Sequence, residues 1–145
     1  MTTEQLTRVC RAAFENEALL PRDGMTFCNQ AVNFIAEQYG YTKYKGLLAN
    51  QMIDLMRQDH HWQSVGLGEA QAAANRGELA VLGIQEQPHG HVCVVRPGVA
   101  VKSGKWQDQA PIVVNIGVAN SWDKTANFIF TTKPEAWVLD ISKEV

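Results

Sequence analysis

Apolar positions in the first half of the chain recur at helical spacing. Leu6, Val9, Cys10, Ala13 and Phe14 predict a helix over residues 3–16. Pro21-Arg22-Asp23-Gly24 interrupts it with turn-forming residues. A second helix is expected from Thr26 or Phe27 to about Tyr39, where Gly40 stops it, with Cys28, Ala31, Val32, Ile35 and Tyr39 facing inward. The spacing predicts a third helix over 47–58, with Leu48, Met52, Leu55 and Met56 inward. Alanine-rich residues 69–75 suggest a short fourth helix closed by Gly77.

Beyond Gly77 the period changes. Short β-prone runs bounded by Gly and Pro occupy residues 79–84, 92–95, 111–117, 128–132 and 137–141, with a long connection over 98–109. Helices followed by strands indicate an α+β fold in one domain spanning 1–145, the helices packed on a mostly antiparallel sheet of about five strands.

Composition narrows the possible partners. Thirteen Lys and Arg residues against fifteen Asp and Glu give a net charge of −2, with no basic run. A basic patch is the usual footprint of nucleic-acid or anionic-membrane binding, so neither is expected. No apolar run approaches bilayer length, so membrane insertion is not expected either. The first residues lack a positive segment followed by an apolar stretch, so synthesis in the cytoplasm without a secretory signal is expected. Three cysteines, Cys10, Cys28 and Cys93, form neither a disulfide framework nor a Cys-x-x-Cys zinc pair. No metal or organic cofactor is expected. Adjacent His60 and His61 would point apart on a regular helix or strand and do not suggest a metal site.

Cys28 stands where turn residues end and a helical pattern begins. A thiol at a helix N-terminus meets unpaired amides and the positive end of the helix dipole, which favour the thiolate. The competing reading is a buried core thiol, a common fate of free cysteine. Cys10 and Cys93 are assigned to the core. His91 follows Gly90 at the mouth of an apolar strand and shares a strand face with Cys93 and Val95. It is the candidate general base, with His89 as its alternative. Asn115 interrupts an otherwise apolar strand; a buried amide needs a partner, and orienting His91 would supply one. Asn120 and Asp123 are alternatives for that third role. Trp106 and Trp122 lie in polar loops after the strands that carry His91 and Asn115. Together with Asn120 they are candidates for lining a substrate cleft, against the alternative that they simply pack.

Three passages resemble the NlpC-type and CHAP cysteine peptidases. Phe27-Cys28-Asn29-Gln30-Ala31-Val32-Asn33-Phe34 is similar to their nucleophile helix. Residues 73–82, with Gly77-Glu78-Leu79, are similar to the segment before their first core strand, and Gly90-His91-Val92-Cys93-Val94-Val95 to their histidine strand. The resemblance covers about residues 26–120. It departs from the family at Phe27 and Asn29, where Asp commonly precedes the nucleophile and Ser-Gly follows it, and residues 40–68 have no counterpart.

The resemblance implies a compact papain-like hydrolase that cuts amide bonds in peptidoglycan stem peptides. Cys28 would be the nucleophile, His91 the base, Asn115 its orienting group, and the Cys28 amide part of an oxyanion site. The expected setting is the cell wall, reached after release as a lysin or injection as an antibacterial effector, with an immunity or inhibitor protein as a partner. Two rivals stand beside it. One is a Cys–His deamidase, transglutaminase-like enzyme or protein-directed protease inside the cell; the other is a binding domain without catalysis.

Overall fold

Helix α1 (Thr3–Phe14) begins at a reciprocal cap: the Gln5 amide N–H donates to Thr2 Oγ1 at 3.1 Å, and the Thr2 amide donates to Gln5 Oε1 at 2.8 Å. Leu6, Cys10 and Ala13 form its buried stripe. Helices α2 (Cys28–Glu37), α3 (Ala49–Gln58) and α4 (Leu67–Asn75) follow. The strands are β1 (Trp62–Val65), β2 (Ala80–Ile84), β3 (His91–Val95), β4 (Val101–Ser103), β5 (Asp108–Ala110), β6 (Val113–Val114) and β7 (Glu135–Leu139). This computed structural model describes residues 1–23 and 25–142.

The architecture is α+β. Five strands form an antiparallel sheet in the order β1-β7-β2-β3-β6, and β4 and β5 form a separate hairpin. Strands β2 and β3 are buried almost throughout, which is why both read as unbroken apolar runs rather than alternating ones. Helix α2 lies against β3, with α1 beside α2, while α4 packs on β7 and β2. Helix α3 approaches β2 at Gly83, where a β-carbon would fall 2.9 Å from the Ile53 side chain. No helix among the described residues is long and apolar enough to cross a membrane.

Several expectations need correction. Residues 128–132 do not form a strand. Ala126–Phe128 is a 3-10 turn, and Phe128 is 72% exposed. The Phe128 amide donates to the Thr125 carbonyl and the Phe130 amide to that of Ala126, so local bonds satisfy this backbone without a ladder partner. Only Phe130 enters the core. Conversely, β1 was hidden by exposed Gln63 and Ser64; it pairs with β7 at the sheet edge, with Trp62 opposite Leu139.

The connection over 98–109 folds back as the β4–β5 hairpin, with Gln107 in the left-handed region at φ 51°. The strand expected over 111–117 pairs with β3 only at Val113 and Val114. Its flanks bridge instead to the returning loop, Ile112 to Thr125 and Asn115 to Ser121. Leu48, expected inward, is the residue before α3 and is 59% exposed. Tyr39 lies past the end of α2, half-buried, where its hydroxyl donates to the Gly77 carbonyl at 2.7 Å. His60 and His61 occupy a turn, not a regular element, so their rings do not diverge: the centroids lie 4.2 Å apart.

Candidate active site

Cys28 opens α2 behind Phe27, whose side chain makes no cap. The first amides of the helix therefore have no capping side chain to accept them. A tight turn leads in: the Met25 amide donates to the Arg22 carbonyl at 2.8 Å, the reverse bond is 3.2 Å, and Asp23 is left-handed at φ 53°. The fourth residue of the expected turn, Gly24, lies outside the described residues.

His91 opens β3 opposite Ile84 of β2. The residue before it has to be glycine, because a β-carbon on Gly90 would sit 2.1 Å from Asn50 Oδ1 and 2.6 Å from the Ile84 carbonyl oxygen. Asn50, near the start of α3, clasps the β2–β3 turn. Its Nδ2 donates to the Glu86 carbonyl at 2.9 Å, and the Glu86 amide donates to its Oδ1 at 3.3 Å. The strand entry that carries His91 is thus tied to a helix.

Asn115 follows β6. Its backbone exchanges two hydrogen bonds with Ser121, both 2.9 Å, and its Nδ2 donates to the Ala119 carbonyl at 3.1 Å. A carbonyl only accepts, so the Ala119 contact fixes which way the amide faces. Oδ1 is left toward the imidazole, 2.7 Å from His91 Nε2. Nε2 must then carry the proton and donate, and Nδ1 is the ring nitrogen left for the thiol. Phe130 packs on the ring with centroids 5.5 Å apart, and Gly117 borders the Cε1 edge.

The His91 ring acts on the Cys28 thiol, as do the Val92 and Asn29 amides. Burial pushes this thiol up, yet His91's hydrogen bond and charge and the two amides together bring it below the ordinary thiol value. Burial pushes His91 down, but the Cys28 hydrogen bond and charge, the Asn115 bond and the Glu86 charge raise it on balance. The two shifts run in opposite senses and favour a thiolate beside an imidazolium. For the other cysteines burial prevails: it pushes Cys10 up to about 12 against the opposing Arg96 charge, and Cys93 well above its ordinary value.

Cys28 reaches solvent through a cleft of about 350 Å³ whose walls include Met25, Thr26, Asn29, Leu48, Gln51 and His89. His89 is exposed at this wall, whereas the ring bonded to Cys28 is that of His91. Trp106 and Trp122 do not line the cleft. Trp122 is clasped between the guanidinium groups of Arg11 and Arg96, 4.9 and 4.4 Å from its ring, and Trp106 is half-buried in the β4–β5 turn below Lys105. Asn120 acts within the 115–121 loop, its Oδ1 accepting the Gly117 amide at 2.9 Å. Asp123 is exposed, and its charge acts on Arg96.

Two contributors escaped the sequence reading. Asn50 gave no signal, being one of several polar residues in the first turn of a helix. Gln71 did: it is an amide set among the alanines of α4, and it is buried. Its Oε1 accepts the Ile112 amide at 2.8 Å and its Nε2 donates to the Arg96 carbonyl at 3.0 Å, locking the approach to β6 against the end of β3.

Asp59, His60 and His61 bring potential metal-ligand atoms within 4.8 Å of one another. Protein donors already fill both Asp59 oxygens, however. Tyr41 Oη at 2.7 Å and Lys43 Nζ at 3.2 Å donate to Oδ2, and the His61 amide (3.0 Å) and ring nitrogen Nδ1 lie against Oδ1. The cluster is knitted to the protein and is remote in sequence from Cys28. No model of a known protein family matches this chain, and no curated protein matches it.

Proposed function

We propose that this protein is a papain-like cysteine amidase or peptidase, with Cys28 as nucleophile, His91 as general base and then acid, and Asn115 as the residue that positions His91. One observation carries the reading. The Ala119 carbonyl fixes the Asn115 amide, the amide fixes the protonated nitrogen of His91, and the influence of that ring brings the Cys28 thiol below its ordinary value.

In this reading the Cys28 thiolate attacks an amide carbonyl carbon and a C–S bond forms. The oxyanion collects near the Cys28 amide at the uncapped helix start. The imidazolium proton passes to the leaving amine as the C–N bond breaks, leaving a thioester. Water then attacks the thioester, His91 accepts one of its protons, and the C–S bond breaks to restore the thiolate–imidazolium pair; the carboxylic acid departs and gives the other proton to solvent.

For the substrate, the resemblance of the Cys28 and His91 segments to wall-degrading cysteine peptidases supports an amide bond of peptidoglycan stem peptides. Action at the cell wall, as a lysin or a secreted effector countered by an immunity protein, belongs to the same proposal. The test begins with iodoacetamide labelling of each cysteine from pH 4 to 9 in the wild type and His91→Ala. Fast labelling of Cys28 below pH 7, lost in the variant, supports the pair. Labelling of Cys28 no faster than that of Cys10 and Cys93 refutes catalysis and favours a binding domain. Digestion of purified sacculi, set against protein substrates, then separates the wall enzyme from a protein-directed one.

A further inference from the structure

The cleft at Cys28 does not end at its walls. Asn29 and Leu48 also border a depression of about 520 Å³ along the outer face of α2, which continues past Leu47 and Gln30 to Glu37 and Lys45. Met25 and Thr26 also border another of about 350 Å³, shared with Pro21, Arg22, Asp23 and Val118. The three depressions share these walls, with that of Cys28 between the other two, and we take them together as one groove.

The chemistry along the groove is uneven. Among the described residues no carboxylate, lysine or arginine lines the central part; the charged pairs, Arg22 with Asp23 and Glu37 with Lys45, stand at the two ends. Three apolar side chains are exposed where the parts meet or along their walls: Met25 at 58%, Leu48 at 59% and Val118 at 88%. Exposed large apolar groups set along one groove are a recognition surface rather than stray surface residues. Asn29 adds one oriented polar group. Its Nδ2 is committed to the Leu47 carbonyl at 2.9 Å, which leaves Oδ1 to accept a hydrogen bond from a ligand.

We infer that Cys28 cuts within an extended, uncharged segment of a longer chain, held by Met25 and Val118 on one side of the scissile amide and by Leu48 and Asn29 on the other. This rests on the hydrolase reading above and narrows its substrate: within a peptidoglycan peptide it excludes amides beside an acidic or diamino residue. A charged side chain next to the cut would lose water without gaining a partner, and so would the free ammonium or carboxylate of a chain end. An extended chain advances about 3.3–3.6 Å per residue, so a groove of three linked depressions engages several residues. The enzyme is therefore endo-acting.

The test uses internally quenched peptides of one length. One has Ala and Leu around the central amide, others carry Glu or Lys beside it, and a further one places the same amide at a free terminus. The uncharged internal amide is expected to show a kcat/KM at least about tenfold above the rest. Leu48→Lys, at an exposed position, is expected to shift preference about tenfold toward the Glu-bearing peptide, with Cys28 still labelled by iodoacetamide faster than Cys10 and Cys93. Equal cleavage of charged, terminal and uncharged amides with a reactive Cys28 overturns the groove assignment alone. So does a Leu48→Lys variant with unaltered preference. No cleavage of any amide, with Cys28 no more reactive than Cys10, overturns this inference together with the hydrolase reading.

Discussion

Two buried polar clusters, each built around a histidine, make opposite use of the same materials. In one, His61 lies against Asp59 at the end of α3, and Tyr41 and Lys43 donate to the same carboxylate. In the other, His91 lies between Cys28 and Asn115 at the start of β3. Both acceptor oxygens of Asp59 are filled from the protein, and its side chain is only 4% exposed. The cluster is closed, and its product is stability: it joins the loop after α2 to the end of α3, while the His61 carbonyl accepts the Asp140 amide at 2.8 Å and ties β1 to the end of β7. The second cluster is open. Asn115 fills one side of the imidazole, while Cys28 borders a cleft. A polar cluster becomes a reaction centre when one reactive atom keeps a path to solvent and all the others are held.

The largest expected effects fall on the open cluster. Cys28→Ala is expected to abolish amide hydrolysis, and His91→Ala to lower kcat/KM by roughly 10²–10⁴-fold, read by continuous peptide assays. Neither should displace the thermal midpoint by more than a few degrees. An unfolded His91→Ala protein would erase the contrast between the clusters.

Asn115→Ala is expected to cost about 10²-fold in kcat with KM nearly unchanged, because the imidazole loses its orientation and not its proton-accepting nitrogen. The pH profile sharpens this. In the wild type, the proposed activity is expected to rise with pH as Cys28 ionises below its ordinary value and to fall as His91 loses its proton above its ordinary value. The result is a bell whose limbs belong to the coupled pair. Asn115→Ala removes one of the interactions that raise His91, so its alkaline limb should move to lower pH.

The closed cluster should respond in stability alone. Asp59→Ala leaves the buried Tyr41 hydroxyl and His61 ring without their shared acceptor, and a loss of roughly 2–3 kcal/mol in urea unfolding is expected. Cys28 labelling should not change. A drop in labelling would mean that the two clusters are not independent.

The smallest effect is acid sensitivity. Burial would raise Asp59, but the His61 amide, Tyr41, His61 and Lys43 hold it well below the ordinary carboxylate range in the folded state. A depressed folded value contributes stability that is complete above the unfolded value of about 4 and fades as pH falls beneath it. Wild-type unfolding should therefore show a stability loss below about pH 4 that Asp59→Ala lacks.

Legibility in the sequence followed how local each signal was. The four helices were readable because their stripes and stops lie within a few residues, as at Gly40 and Gly77. Strands β2 and β3 were readable because burial on both faces leaves uninterrupted apolar runs. Edge strand β1 was not, since its exposed face is polar, and Phe128-Ile129-Phe130 imitated a strand that local turn bonds pre-empted. Cys28, His91 and Asn115 stood out as residues that broke their own patterns: a thiol at a helix start, a histidine at a strand mouth, an amide among valines.

The sequence alone determined the α+β class, the helical first half and three candidate residues, because propensity, capping and periodicity act over one or two turns of chain. Tertiary structure decided that those residues meet. It brought Asn115, rather than Asn120 or Asp123, to the His91 ring, with the Ala119 carbonyl holding the amide, and it set His91 rather than His89 to act on Cys28. It also gathered Met25, Leu48 and Val118 along one groove although up to 93 positions separate them in the chain. Contacts between residues far apart in sequence leave no periodic trace, since they arise only when separate elements pack and the remaining hydrogen-bond partners are shared out in space.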